Sequence, residues 1–245
     1  MLAVISGGTS GIGSATAVLF AEKGYEVHVL GRNEEKGKAF EEEYSDLTIT
    51  YHQADAGSEK DVEAFFQELA DADKTVDVLF NNAGTVEFAL GPLQRVKEED
   101  WNALFDANLK SVYLMIKHAT PLFDKKAGAS IINNAAIVGN GKYPSALPAY
   151  AGAKAGVVAM TKSLAVRHAK QKMRFNSISP GPVNTSLAHR LYGGESNFEE
   201  ASKKHPRGEA ADPKEIAEVV YFLASDKASY INGHNLVVDG GYSLA

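Results

Sequence analysis

The opening segment constrains the fold more than any other part of the chain. Residues 2–5 form a short, wholly apolar run that breaks into Ser6-Gly-Gly-Thr-Ser-Gly-Ile-Gly13. Beyond it Ile12, Ala15 and Leu19 recur at helical spacing, and Val18 and Phe20 widen the same apolar face. The order is strand, glycine turn, helix. Glycines at 7, 11 and 13 let the backbone turn tightly and approach a ligand, and the start of the following helix offers free N–H groups to a phosphate. The spacing departs from the usual G-x-G-x-x-G, and taken alone the segment also serves as a plain strand-to-helix turn.

The next strand, residues 26–30, ends about 20 residues after the glycines, where a dinucleotide fold places the group that reads the adenosine ribose. The sequence there is Gly31-Arg32-Asn33. An Asp or Glu would accept from a ribose 2′-hydroxyl and repel a 2′-phosphate; an absent side chain followed by an Arg fork suits the phosphate. NADP(H) is therefore expected over NAD(H), against the plainer reading of Arg32 as a solvated residue at a helix start near Glu34 and Glu35.

Strand and helix then keep alternating. A charged helix over 33–44 is followed by a strand over 48–53, with Asp55 just beyond it. Ser58 and Asp61 open a helix that runs to about residue 70. The apolar run 76–80 ends in Asn81-Asn-Ala-Gly84, at the carboxyl end of a strand, where open α/β sheets bind ligands. Apolar spacing predicts one long helix from 97 to about 123, with Asn108, a poor mid-helix residue, marking a kink or a polar task. A fifth strand at 130–134, a helix from Tyr150 to about 168, a sixth strand at 173–178, a helix at 214–223 and a last strand at 235–238 complete the series. Between them 186–212 is polar and irregular, with the length expected of a substrate lid. The expectation is one doubly wound α/β domain over 1–245.

Composition excludes several function classes. With 25 basic and 31 acidic residues, a net charge of −6 and no basic cluster, the chain has no electrostatic case for nucleic acid or an anionic membrane. Zero cysteines exclude disulfides, thiolate metal ligands and a cysteine nucleophile, and the seven histidines show no metal-ligand spacing, so no catalytic metal is expected. The first residues carry no basic leader and no apolar run nears about 18 residues, so a cytoplasmic protein is expected.

Tyr150-Ala-Gly-Ala-Lys154 places a phenol and an ammonium four residues apart on one helical face. A unit charge about 4 Å from the phenol at an effective dielectric of about 20 is worth roughly 4 kcal/mol, enough to lower its pKa by up to about 3 units. Such a phenol could exchange a proton with a substrate oxygen near neutral pH. A Tyr and a Lys sharing a surface helix is the alternative.

With these residues in view, the chain resembles the short-chain dehydrogenase/reductase family over essentially its whole length. The family's glycine turn matches Gly7, Gly11 and Gly13, its adenine-contacting Asp matches Asp55, and its N-N-A-G element matches 81–84. Its catalytic Asn matches Asn108, its Y-x-x-x-K matches Tyr150 and Lys154, and its P-G turn matches Pro180 and Gly181. The resemblance implies a seven-stranded parallel sheet with the dinucleotide across the strands' carboxyl ends. Cofactor contacts are implied for Ser6, Gly7, Thr9, Ser10, Gly11, Ile12 and Gly13 in the turn, and for Arg32, Asn33, Asp55 and Ala56 beyond the next two strands. On the far side they are implied for Asn82, Ala83, Gly84, Tyr150, Lys154, Pro180, Gly181, Val183 and Thr185. It further implies hydride transfer between nicotinamide and a carbonyl or alcohol carbon of a small molecule. Tyr150 would be acid or base, Lys154 would tune it and hold ribose, and Asn108 would position a water; a homotetramer or homodimer is also implied.

One position departs from the pattern. Where the family carries S-S-x-x-G ahead of the Tyr, this chain reads Ala135-Ala136-Ile-Val-Gly139, so Ala136 stands at the catalytic serine site. A methyl cannot hydrogen-bond a substrate oxygen. Asn134, one pleat repeat of about 6.6 Å away if the strand continues, and Ser145 are the candidates to compensate; Ser130, at the strand's start, is a worse match. An NADP(H)-dependent oxidoreductase is the leading expectation, and a non-catalytic dinucleotide-sensing or scaffolding protein the alternative.

Overall fold

The computed structural model describes residues 1–139 and 147–245. Seven short strands rich in Val, Ile, Leu and Phe form a single parallel sheet: β1 (Leu2–Ser6), β2 (Glu26–Gly31), β3 (Ile49–Gln53), β4 (Val78–Asn81), β5 (Ala129–Asn134), β6 (Met173–Pro180) and β7 (Asn235–Val238). Their order is β3-β2-β1-β4-β5-β6-β7, so the chain reverses direction across the sheet between β1 and β4. That reversal opens a crevice at the carboxyl ends of the two strands.

Helices cover both faces, which is why the central strands are apolar throughout rather than alternating. On one face α3 (Glu59–Asp71), α5 (Ser111–Ala119) and α6 (Pro148–His168) bury Phe65, Phe66, Met115 and Val157 against Leu79 and Ile131. On the other α1 (Gly11–Glu22), α2 (Glu34–Glu43) and α9 (Pro213–Ala224) bury Phe20, Phe40, Ile216 and Val220 against Ile5, Val29 and Phe80. The result is the expected single doubly wound domain.

Two regions differ from the sequence reading. The segment expected as one helix divides into α4 (Glu98–Phe105), a π-helical turn over Asp106–Lys110 and α5. The stretch 186–212 is not structureless: it carries α7 (Ser186–Leu191) and α8 (Glu195–Ser202), joined by Gly193 and Gly194, both at positive φ. Both helices are too short and too polar to show a clear apolar period. Among the described residues no helix is long and apolar enough to cross a membrane.

Candidate active site

The glycine turn is built by close backbone approach. Gly7 has φ +65°, and a Cβ there would lie 2.9 Å from Ala83 Cα; at Gly13 it would lie 2.1 Å from the Gly7 carbonyl oxygen. The ends of β1 and β4 are tied by Ser6, whose hydroxyl accepts from the amides of Asn82 and Ala83 at 3.1 Å each. Asn82 Nδ2 returns a bond to the Gly7 carbonyl at 3.0 Å. Ser10 precedes α1 with extended backbone and makes no side-chain cap. The first N–H groups of α1 therefore have no side-chain acceptor from that cap and remain suited to an anion.

On one side of the turn lies a cavity of about 220 Å³ walled by Gly7, Thr9 and Ser10, by Gly31, Arg32 and Asn33, and by Asp55, Ala56 and Gly84. Lys36 also lines it, a residue the sequence reading missed. Asn33 caps α2, its Oδ1 accepting from the Lys36 amide at 2.8 Å, which brings Lys36 back beside Arg32. The signal lay in the sequence as a cation three residues after a capping Asn. Asp55 Oδ1 accepts from the Gly57 amide at 2.8 Å, and the Asp55 amide donates to Asp61 at 3.0 Å, which fixes the loop after β3.

On the other side is a larger cavity of about 520 Å³. Ile12, Pro180, Gly181, Val183 and Thr185 line its inner end, and Asn134, Ala136 and Tyr150 its flank. Thr185 caps α7, accepting from the Ala188 amide at 3.2 Å, and its methyl would lie 3.0 Å from a Cβ on Gly11, so α7 is seated against the glycine turn. The two cavities lie on either side of the glycine turn, Ile12 lining one and Gly7, Thr9 and Ser10 the other. Glycine cradle, free helix start and flanking cations fit a dinucleotide.

Tyr150, Lys154 and Asn108 come together behind this flank. The Lys154 amine donates to the Asn134 carbonyl at 2.8 Å and lies 5.6 Å from the centre of the Tyr150 ring. A Cβ on Gly84 would lie 2.6 Å from Asn108 Oδ1 and 3.3 Å from Lys154 Nζ, so only glycine lets the two approach. Asn108 sits in the π turn and is fully buried. Its Nδ2 donates to the carbonyls of Thr85 at 2.8 Å and Leu104 at 2.9 Å, while Oδ1 accepts from the Thr85 amide at 3.2 Å. Both N–H donors are engaged, so a water held by this side chain must donate to Oδ1.

Two expectations are corrected here, and a third is narrowed. Burial pushes the Tyr150 phenol above its ordinary pKa, not below it, and lowers the Lys154 amine from 10.5 to about 8. Desolvation outweighs the attraction expected from spacing, because the amine is buried and the phenol is half-buried in the cavity wall beside it. Next, β5 ends at Asn134 and Ala136 begins a turn over Ile137–Gly139, so the two do not share a continued strand face. Third, Asn82 Nδ2 is committed to the Gly7 carbonyl, so Asn82 Oδ1 must accept, and it does so from Asn134 Nδ2 at 2.9 Å. This leaves Asn134 Oδ1 as a buried, unpartnered acceptor and commits one of the two Asn134 Nδ2 hydrogens, so Asn134 has a single N–H left for a substrate oxygen. Ser145 lies outside the described residues.

Fold and crevice define a doubly wound α/β protein with a glycine turn at the switch of strand order and a Tyr–Lys–Asn group in which Lys154 and Asn108 are buried and Tyr150 lines the cavity. A family model described as enoyl-(acyl carrier protein) reductase matches residues 7–243. The 3-oxoacyl-[acyl-carrier-protein] reductase FabG of Chlamydia muridarum (strain MoPn / Nigg) is 37% identical over 243 residues, covering 98% of this chain and 96% of that protein. Cyclohexanol dehydrogenase of Acinetobacter sp. (strain SE19) is 33% identical, covering 99% and 94%. The crystal structure of levodione reductase superposes with a TM-score of 0.92 at 29% identity, over 100% of this chain and 98% of the other. The chain belongs to the short-chain dehydrogenase/reductase family of oxidoreductases.

Proposed function

We propose that this chain is an NADP(H)-dependent oxidoreductase of a small carbonyl or alcohol compound. The observation that carries the reading is the end of β2, where Gly31 stands in place of an acid and Arg32 and Lys36 line one cavity. Two cations at the end of β2 suit a 2′-phosphate, while Asp55, the one carboxylate in the same wall, is turned to the Gly57 amide at 2.8 Å. The relatives named for the reduction of a 3-oxoacyl group and for cyclohexanol agree with an oxygen-bearing carbon as the reacting centre. Residues around the glycine turn, from Ser6 to Gly13, would hold the diphosphate, and Pro180, Gly181, Val183 and Thr185 the nicotinamide end.

When bound, the nicotinamide supplies or takes the hydride at that carbon. Tyr150 hands a proton to the oxygen in reduction and removes it in oxidation. The phenol is protonated at neutral pH, and because partial burial raises its pKa, the nearby Lys154 charge is what must offset that loss of acidity when the proton leaves. Lys154 stabilises the phenolate left behind, and Asn108 holds the π turn and the Thr85 backbone in register with it. Residues 186–212 would act as a lid, and a cytoplasmic homotetramer or homodimer completes the proposal.

The test is titration with both cofactors. NADPH should bind at least about 10-fold more tightly than NADH, and Arg32→Ala and Lys36→Ala should each erode that preference. Equal affinities for the two cofactors would refute the assignment. Ala136, which offers no donor to a substrate oxygen, favours a second reading as a non-catalytic dinucleotide sensor or scaffold. NADPH oxidation with ketones, aldehydes and quinones separates the two.

A further inference from the structure

From the larger cavity we infer that the substrate is a neutral, apolar carbonyl compound, and that Glu87 excludes anionic ones by occupying Arg190 at the cavity's edge. The inference rests on the oxidoreductase reading above. Beyond the end assigned to nicotinamide, the wall is formed by Val86, Ile137, Val138 and Leu147 on one side and by Leu187, Leu191 and Phe198 on the other. Among the described residues no charged side chain lines it, and its polar side chains are the hydroxyls of Tyr150, Thr185, Tyr192 and Tyr242 and the amide of Asn134. A buried anion there would lose its hydration with no cation among the described lining residues to replace it.

The Arg190 guanidinium, adjacent in sequence to the cavity-lining Leu191, is already paired. Arg190 Nε donates to Glu87 Oε1 at 2.5 Å, joining α7 to the loop after β4 next to Leu191 and Val86. The carboxylate is held in place from behind: the Glu87 amide donates to the Thr85 hydroxyl at 3.1 Å, and Thr85 is fixed by Asn108. A substrate carboxylate would have to displace Glu87 from a partner that its own backbone positions.

Reduction moves a hydride from NADPH to the carbonyl carbon and a proton from Tyr150 to its oxygen, giving the alcohol and NADP⁺. The test uses two substrates of one skeleton, methyl benzoylformate (neutral) and benzoylformate (anionic). The expected kcat/KM for the ester exceeds that for the acid by ~100-fold or more. In Glu87→Gln the KM for the acid should fall about 3-fold or more while the ester is unchanged, and the gain should shrink at high salt. Adding Arg190→Ala to that variant should restore the parent's ratio. Calorimetric titration of the NADP⁺-loaded protein with the same pair gives the answer without turnover. Tighter binding of the ester supports the inference; equal or tighter binding of the acid, or no binding of the ester, overturns it. Ester binding with no turnover of any carbonyl would overturn the oxidoreductase reading and leave the substrate class standing.

Discussion

Lys154 is a primary amine that is only 3% exposed, and its burial has a measurable consequence for stability. The fall from 10.5 to about 8 means that between these values the folded chain binds fewer protons than the unfolded one. Stability must therefore rise with pH across that window and carry its full penalty below pH 8, an effect of roughly 3 kcal/mol at most. Cofactor-free Lys154→Met should be more stable than the parent at pH 7 and should lose the rise between pH 8 and 10; parallel urea curves for the two across that range would refute this. Tyr150→Phe should lower kcat by roughly 10²–10⁴-fold while cofactor affinity holds, because only the proton-carrying hydroxyl is removed. Ala136→Ser should raise kcat about 10-fold or more, by restoring one donor to a substrate oxygen beside Tyr150. No change on Ala136→Ser in an active parent would show that the donor lies elsewhere. The residues of this site were legible as types and spacings, since Tyr150, Lys154 and Asn108 do converge. The direction of the Tyr150 shift was not, because burial depends on what packs around a helix and not on the helix itself.

The π turn at Asp106–Lys110 is the element on which that convergence depends. Within the widened turn Asn108 Nδ2 donates to the Leu104 carbonyl at 2.9 Å, bracing the point where the helical ladder changes. The same side chain makes two further bonds to Thr85, so removing it strands several buried backbone groups at once. Asn108→Ala should cost about 2–4 kcal/mol in urea unfolding. It should also speed amide exchange near residues 106–111 and at Thr85. Unchanged exchange at Thr85 would show that the loop after β4 is held by other contacts. Apolar periodicity foretold this region as one helix because a single extra residue barely disturbs the spacing of Leu104, Leu109 and Val112. The interior Asn was the only mark of the break. Likewise α7 and α8 went unseen, being six and eight residues long with mostly polar sequences. The strands and the longer helices were legible because each is a buried run or a broad apolar face.

At the scale of the whole molecule, the isolated chain leaves large apolar side chains in water on two separate regions. On the helical face Tyr113 of α5 is 48% exposed and Val166 of α6 is 82% exposed. Around the last strand Phe222, Tyr230 and Leu244 are exposed, Leu244 at 92%. β7 closes the sheet, pairs only with β6, and so presents an open edge beside this second group. Single exposed apolar residues are ordinary, but an open strand edge flanked by several of them is a surface that proteins usually cover. Two independent faces, each closing on its own copy about a two-fold axis, generate a tetramer, whereas one face alone gives a dimer. Val166→Glu places a charge in the first face, and Leu244→Glu in the second. In light scattering at micromolar concentration the parent should be a tetramer, each variant a dimer, and the double variant a monomer. If only one substitution changes the mass, a single face assembles and the protein is a dimer. A parent that runs as a monomer at these concentrations would refute assembly through either face, and the exposed side chains would then belong to the surface of a free domain.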